Sequence, residues 1–127
     1  MSHTSSKSRF DFRIPVANDP ERKELFHSEA RRRLRELAAA LGFAKQDYDL
    51  RSNAGGIAVS GEVTLHAAHL YVQASQLATR SDTGILFRTC AGHKDYVGGQ
   101  NHFASLDALH EPRHLADVIK RYCDLSA

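Results

Sequence analysis

The fold is decided by residues 57–76, which read IAVSGEVTLHAAHLYVQASQ. In the first half, apolar side chains occupy alternate positions at Ile57, Val59, Val63 and Leu65. In the second half, residues 69–76, the alternating apolar positions are Leu70, Val72 and Ala74. Side chains two positions apart point to the same face of a β-strand. The stretch therefore predicts two strands joined by a tight turn, each with one apolar face and one polar face.

Further strands are indicated on both sides of this stretch. Tyr48 and Leu50 predict a strand that precedes a turn at residues 53–56. Residues 84–90, GILFRTC, predict another strand after residues 57–76. The short connections favour antiparallel neighbours. Gly61 shares the parity of the apolar positions and marks a bulge or a site of close packing. We expect a four-stranded antiparallel sheet.

Two helices flank the predicted sheet. The first begins at Asp19-Pro20, a capping residue followed by a proline suited to the first turn, and ends at Gly42. Its apolar stripe consists of Phe26, Ala30, Leu34, Leu37 and Leu41. The last helix begins at Pro112, and its apolar positions are Leu115, Val118, Ile119 and Tyr122. The predicted class is α+β: an N-terminal helix, a four-stranded antiparallel sheet, a long Gly-rich loop and a C-terminal helix, with both helices on one sheet face.

The predicted domain organisation is a mobile basic arm over residues 1–17 and a single domain over residues 18–127. Within the arm Phe10, Phe12, Ile14 and Val16 alternate with polar residues, a pattern that would also suit an edge strand.

The composition of the 127-residue chain is that of a globular protein, with 42% apolar residues, 25% charged residues and a net charge of +2. It contains no apolar run of the roughly 18 residues that a membrane span requires. The N-terminal residues are polar and lack the apolar stretch of a signal peptide. We therefore expect a cytoplasmic protein without membrane contact, with its two cysteines reduced. No cofactor is predicted.

The strongest candidate for a binding site is the loop over residues 92–103. Its glycines make it pliable, and it concentrates donors, acceptors, a cation and an aromatic ring. The candidate contact residues in it are His93, Lys94, Asp95, Tyr96, Gln100, Asn101 and His102. The polar face of the sheet adds Tyr71, Gln73 and Arg88. With no catalytic signature, these surfaces predict a non-enzymatic binding module, of which an inhibitor-type protein is one form. Its ligand would be a protein partner or a small anionic molecule.

Three alternatives stay open at this point. Arg31 and Arg35, with Arg88 and Lys94, could contact the phosphates of a nucleic acid. The sequence His110-Glu111-Pro112-Arg113-His114 matches the HExxH spacing of zinc hydrolases, although Pro112 indicates that His110 and Glu111 precede the helix. The third alternative is an enzyme in which Cys90 and a neighbouring histidine form a nucleophilic pair. Homo-oligomerisation through an edge strand or the N-terminal arm is a further expectation.

Overall fold

The computed structural model describes residues 10–76, 84–90 and 100–123. Its α-helices are α1 (Pro20–Ala40) and α2 (Pro112–Cys123). Its strands are β1 (Tyr48–Asn53), β2 (Glu62–Ala67), β3 (Leu70–Ser75), β4 (Ile85–Thr89) and β5 (His102–Ala104). Short 3₁₀ helices span Lys45–Asp47 and Leu106–His110. The predicted α+β class is confirmed.

The strands form one antiparallel sheet in the order β1-β2-β3-β4-β5, so each strand pairs with its neighbour in the chain. The sheet has five strands rather than the predicted four. The additional strand, β5, falls within the stretch predicted to be an irregular loop. Three residues are too few to show an alternating pattern, and β5 is formed only because β4 offers a free edge.

Helix α1 has the ends that its sequence predicts. The side chain of Asp19 accepts a hydrogen bond of 3.2 Å from the backbone N–H of Arg22. At the other end Gly42 adopts a φ of 89°, the left-handed conformation that ends many helices. Both helices pack on the apolar face of the sheet, and the core lies between them and the strands. The buried side chains of this face are Val63, Leu65, Ala67, Leu70, Val72, Ala74, Ile85 and Phe87.

The strand predicted over residues 57–65 begins later than expected. Ile57 and Val59 lie in the loop before β2 and are 64% and 50% exposed. Gly61 has a φ of 71°, which interrupts the extended backbone, so the parity of the earlier residues does not continue into β2. Its close packing, against the carbonyl groups of Asn53 and Ala54, agrees with one of the two roles predicted for it.

Residues 10–17 contribute to the core although the sequence places them in the arm. Phe12 and Val16 are buried. The segment forms turns rather than the strand that its alternation suggests. The side chain of Gln76 holds it in place: its Oε1 accepts a 2.9 Å hydrogen bond from the Val16 N–H, and its Nε2 donates to the carbonyls of Phe12 and Ile14. The packed region therefore extends N-terminal to residue 18.

Candidate binding surface

The face of the sheet turned away from the helices carries mostly polar side chains. We call it the outer face and define it by Glu62, Thr64, His66, Tyr71, Gln73, Leu86, Arg88 and Phe103. Because side chains alternate between the two faces along each strand, these side chains point away from the core. Most of them are half-buried and Arg88 is only 8% exposed, so the outer face is not a freely solvated surface.

Three residues predicted to bind a ligand meet on the outer face. Tyr71 and Arg88 lie opposite each other in the β3–β4 ladder, and the Arg88 guanidinium carbon is 4.9 Å from the centre of the Tyr71 ring. The Tyr71 hydroxyl donates a 2.8 Å hydrogen bond to Oε1 of Gln73. Arg88 also donates to the carbonyl of Thr89, at 3.3 Å. Each side chain in this cluster is therefore held in one orientation by a neighbour.

The environment of this cluster changes the ionisation of Tyr71. Burial raises the pKa of the Tyr71 phenol above its ordinary value because the phenolate is poorly solvated there, and the negative charge of Glu62 adds to this. The positive charge of Arg88 acts in the opposite direction but does not outweigh them. The phenol therefore remains a hydrogen-bond donor at neutral pH.

The raised pKa of Tyr71 predicts a loss of stability at alkaline pH. Above about pH 10 the unfolded chain releases the phenolic proton while the native state retains it, so the free energy of unfolding falls as the pH rises. We expect Tyr71→Phe to lose less stability than the wild type between about pH 9 and about pH 11 in urea titrations. Equal alkaline slopes for Tyr71→Phe and the wild type would contradict this interpretation.

A cysteine–histidine pair lies at the end of the cluster. The sulfur of Cys90 is 3.6 Å from Nε2 of His66, and the His66 ring meets the Tyr71 ring edge-to-face at 5.6 Å. The thiol is buried and also lies 3.8 Å from the carbonyl oxygens of Ala67 and Ala68. The sequence pointed to Cys90 with a neighbouring histidine but could not identify which one. Cys90 and His66 are brought together across β3, a relation that depends on the register of three strands.

Phe103 adds an apolar contact to the same face. It lies opposite Leu86, which lies opposite Gln73, so the three residues form one row across β3, β4 and β5. Phe103 is 52% exposed. Phe103 falls within the stretch predicted to be an irregular loop, and the structure places it on the outer face. Its role could not be predicted because β5 itself was not.

The predicted loop site is only partly described. His93, Lys94, Asp95 and Tyr96 lie outside the described residues. Gln100 and Asn101 are exposed and precede β5. His102 lies on the helix side of the sheet, where its ring stacks on Phe87 at 5.4 Å and meets the Tyr122 ring in a tilted arrangement at 5.2 Å. The structure thus separates His102 from Tyr71, Gln73 and Arg88.

The HExxH sequence does not lie on one helix. His110 ends the 3₁₀ helix, and Glu111 links this helix to Pro112. Pro112 is the first residue of α2, as predicted from the sequence. The His110 ring packs on Phe12 at 5.0 Å, whereas His114 is exposed. A surface cavity of about 710 Å³ is bounded by this segment and by Glu36, Ala39 and Ala40 of α1. Within the described part of the chain no three His, Cys, Asp or Glu side chains are grouped to hold a metal ion.

The basic residues of α1 are largely engaged with nearby groups. Arg32 and Arg33 form ion pairs with Glu29 and Glu36. Burial alone would raise the pKa of Glu29, but the hydrogen bonds and charges of Arg32 and Arg33 outweigh it, and the pKa of Glu29 is lowered. Arg31 donates to the hydroxyl of Ser52 at 3.3 Å. Arg35 is exposed.

Taken together, the fold and this surface define a small α+β protein with a structured polar cluster on one sheet face. No protein-family model matches the chain, and neither curated proteins nor solved structures provide a significant match. In the described ranges 10–76, 84–90 and 100–123, neither helix is long and apolar enough to cross a membrane.

Proposed function

We propose that the protein is a non-enzymatic binding module that recognises a protein partner through the outer face of its sheet. The observation that supports this most is the cluster of Tyr71, Gln73 and Arg88, in which each side chain is oriented by another. Side chains fixed before binding lose little conformational entropy when a partner arrives. Inhibition of the partner, by occupying its site, is one form that such binding would take.

The chemistry of the outer face suits a protein partner. Tyrosine and arginine are enriched among the residues that dominate the energy of protein interfaces. Phe103 is half-exposed and supplies apolar area in the row that it forms with Leu86 and Gln73. Together they combine an apolar contact with a tyrosine hydroxyl, an amide and a positive charge. We expect the partner to present an apolar side chain to Phe103 and an acidic group near Arg88.

In a second form of this proposal, the outer face binds a small anionic ligand through the same residues except Phe103. The slight exposure of Arg88 favours a ligand small enough to reach it, whereas Phe103 favours a larger partner. The two forms of the proposal differ in the mass of the bound molecule, which is a polypeptide in the first form and a small anion in the second.

The nucleic-acid alternative gains less support from the structure. Arg31 is engaged with Ser52, and the charges of Arg32 and Arg33 are balanced by acids on the same helix. Arg88 lies on the outer face, which is the side of the sheet away from helix α1. The cations predicted to contact phosphates therefore do not form one surface in the described residues.

Native mass spectrometry tests the proposed function. The untagged protein would be isolated from its own cells at low salt and compared with Tyr71→Ala and with the control Tyr122→Ala. We expect the wild type and Tyr122→Ala to carry an additional polypeptide, and Tyr71→Ala to lose it. If the ligand is instead a small anion, the same two proteins should carry the anion and Tyr71→Ala should lose it. A wild type without any bound mass, or equal retention by Tyr71→Ala, would argue against the outer face as the binding surface.

A further inference from the structure

Strand β1 is an edge of the sheet that can accept a further strand. All six of its residues are in register with β2, from Tyr48 opposite Ala67 to Asn53 opposite Glu62. Within the described residues β1 pairs with no other strand, so the backbone groups on its far side are not used by the sheet. The pairing has no bulge and the strand no proline, two features that commonly block an edge. An extended peptide can add to such an edge by main-chain hydrogen bonds.

Two arginines of α1 lie along this edge. Nη1 of Arg31 donates a 3.3 Å hydrogen bond to the hydroxyl of Ser52, which places the guanidinium beside β1. Lys23, about two turns earlier in α1, reaches the carbonyl of Gly56 beyond the end of β1, so the helix runs antiparallel to the strand. Arg35 follows Arg31 by one turn on the same side of the helix, in the direction of the start of β1.

The positive charges of these two arginines are not neutralised within α1. No acidic residue lies three or four positions from Arg31 or Arg35, the separations at which side chains on a helix meet. In the described ranges, the ion pairs of α1 are formed by Arg32 and Arg33. The bond to Ser52 uses one of the five N–H donors of Arg31, and Arg35 is exposed. The helix side of this edge is therefore positively charged.

We propose that β1 binds an extended acidic segment of a partner protein as an additional strand, with acidic side chains on the helix side facing Arg31 and Arg35. Four residues of a helix rise about 6 Å, and alternate residues of a strand are about 6.7 Å apart. Carboxylates at two alternate positions of the segment can therefore each reach one arginine. The outer side of β1 carries Asp49 and Arg51, whose opposite charges do not select an acidic partner, so the remaining side chains of the segment are neutral.

This edge is distinct from the surface of the proposed function. The outer-face cluster consists of Tyr71, Gln73 and Arg88 on β3 and β4, whereas the acidic segment contacts the backbone of β1 and the side of α1. Tyr71→Ala should therefore bind an acidic peptide as the wild type does. The proposed function and this inference can each fail without the other.

Peptide titration tests the inference. The probe is a fluorescein-labelled peptide of about eight residues in which glutamate alternates with valine, long enough to span β1. In fluorescence anisotropy we expect a Kd between about 10 µM and about 500 µM. Hydrogen exchange of the β1 amides should slow when the peptide is added, because N–H groups on the open side of β1 become donors in the new ladder. The same peptide with lysine in place of glutamate should not bind.

Charge-reversed variants test the role of the arginines. Arg31→Glu/Arg35→Glu should weaken binding of the glutamate–valine peptide about tenfold or more, because two attractions become repulsions. Lys120→Glu/Arg121→Glu is the matched control, since it changes the net charge equally at exposed positions of α2. Its affinity should stay within about twofold of the wild type. Circular dichroism melts should show that both double variants are folded.

A methylated peptide separates strand pairing from simple charge attraction. N-methylation of two adjacent central residues keeps every carboxylate but removes one N–H donor from each edge of the peptide strand, and it should weaken binding about tenfold. The inference is overturned if the unmethylated peptide does not bind at about 1 mM, or if its binding leaves the β1 amides unchanged. It is equally overturned if the methylated peptide, or the folded Arg31→Glu/Arg35→Glu variant, binds as tightly as the original pair. Protection of the β1 amides that rises with protein concentration without peptide would also overturn it, because a second copy would then occupy the edge.

Discussion

Replacement of Phe12 by alanine is expected to lower the free energy of unfolding by about 3–5 kcal/mol. Phe12 is 1% exposed, and its ring lies 5.0 Å from Phe10, 5.9 Å from Phe26 and 5.0 Å from His110. Removing the ring leaves a cavity between the N-terminal segment and helix α1 that neighbouring side chains cannot fill. Urea unfolding followed by circular dichroism measures the change.

Phe103→Ala is the matched control for this substitution. It removes the same ring, but from a position that is 52% exposed on the outer face, and the expected loss is below about 1 kcal/mol. Comparable losses for the two variants would contradict the packing described for residues 10–17. In that case the segment would behave as the arm that the sequence predicts, and the hydrogen bonds of Gln76 would have no stabilising role.

Replacement of Gly61 by alanine is expected to cost about 3 kcal/mol or more, for two physical reasons. The φ of 71° is unfavourable for a residue with a side chain. In addition, a Cβ at this position would overlap the carbonyl oxygens of Asn53 and Ala54, which belong to the backbone and cannot rotate away. The start of β2 would have to shift relative to the end of β1.

Gly42→Ala separates the two contributions. Gly42 also has a positive φ, of 89°, but a Cβ there would meet no atom within 4 Å. Its replacement should therefore cost only the conformational strain, about 1 kcal/mol. If the two alanine variants have equal stability in urea, the close approach of Gly61 to the end of β1 is not a structural constraint.

The sequence was sufficient for the elements with strong local signals. Helix α1 is defined by Asp19, Pro20 and Gly42, and the inward positions Leu70, Val72 and Ala74 of β3 follow from simple alternation. The separation of His110 and Glu111 from helix α2 follows from the geometry of Pro112 alone. In each case the residues that determine the structure lie next to it in the chain.

The features that the sequence did not show depend on contacts between distant residues. Phe12 is buried because Gln76, 64 positions later, binds the backbone beside it. Strand β5 exists because β4 has an edge to pair with, and Phe103 is brought to the outer face only as a result. The Cys90–His66 contact likewise requires the register of β2, β3 and β4. The candidate site could therefore be assembled only in part, from Tyr71, Gln73 and Arg88.

The central claim, that the outer face of the sheet contacts a protein partner, is tested most directly by photo-crosslinking in cells. A benzophenone side chain would replace Phe103 on the outer face or, as the control, Leu25 on helix α1, since the two positions are similarly exposed at 52% and 55%. We predict a discrete adduct with a different polypeptide from position 103 and none from position 25. Adducts of equal yield from both positions, or no adduct from position 103, would contradict the claim.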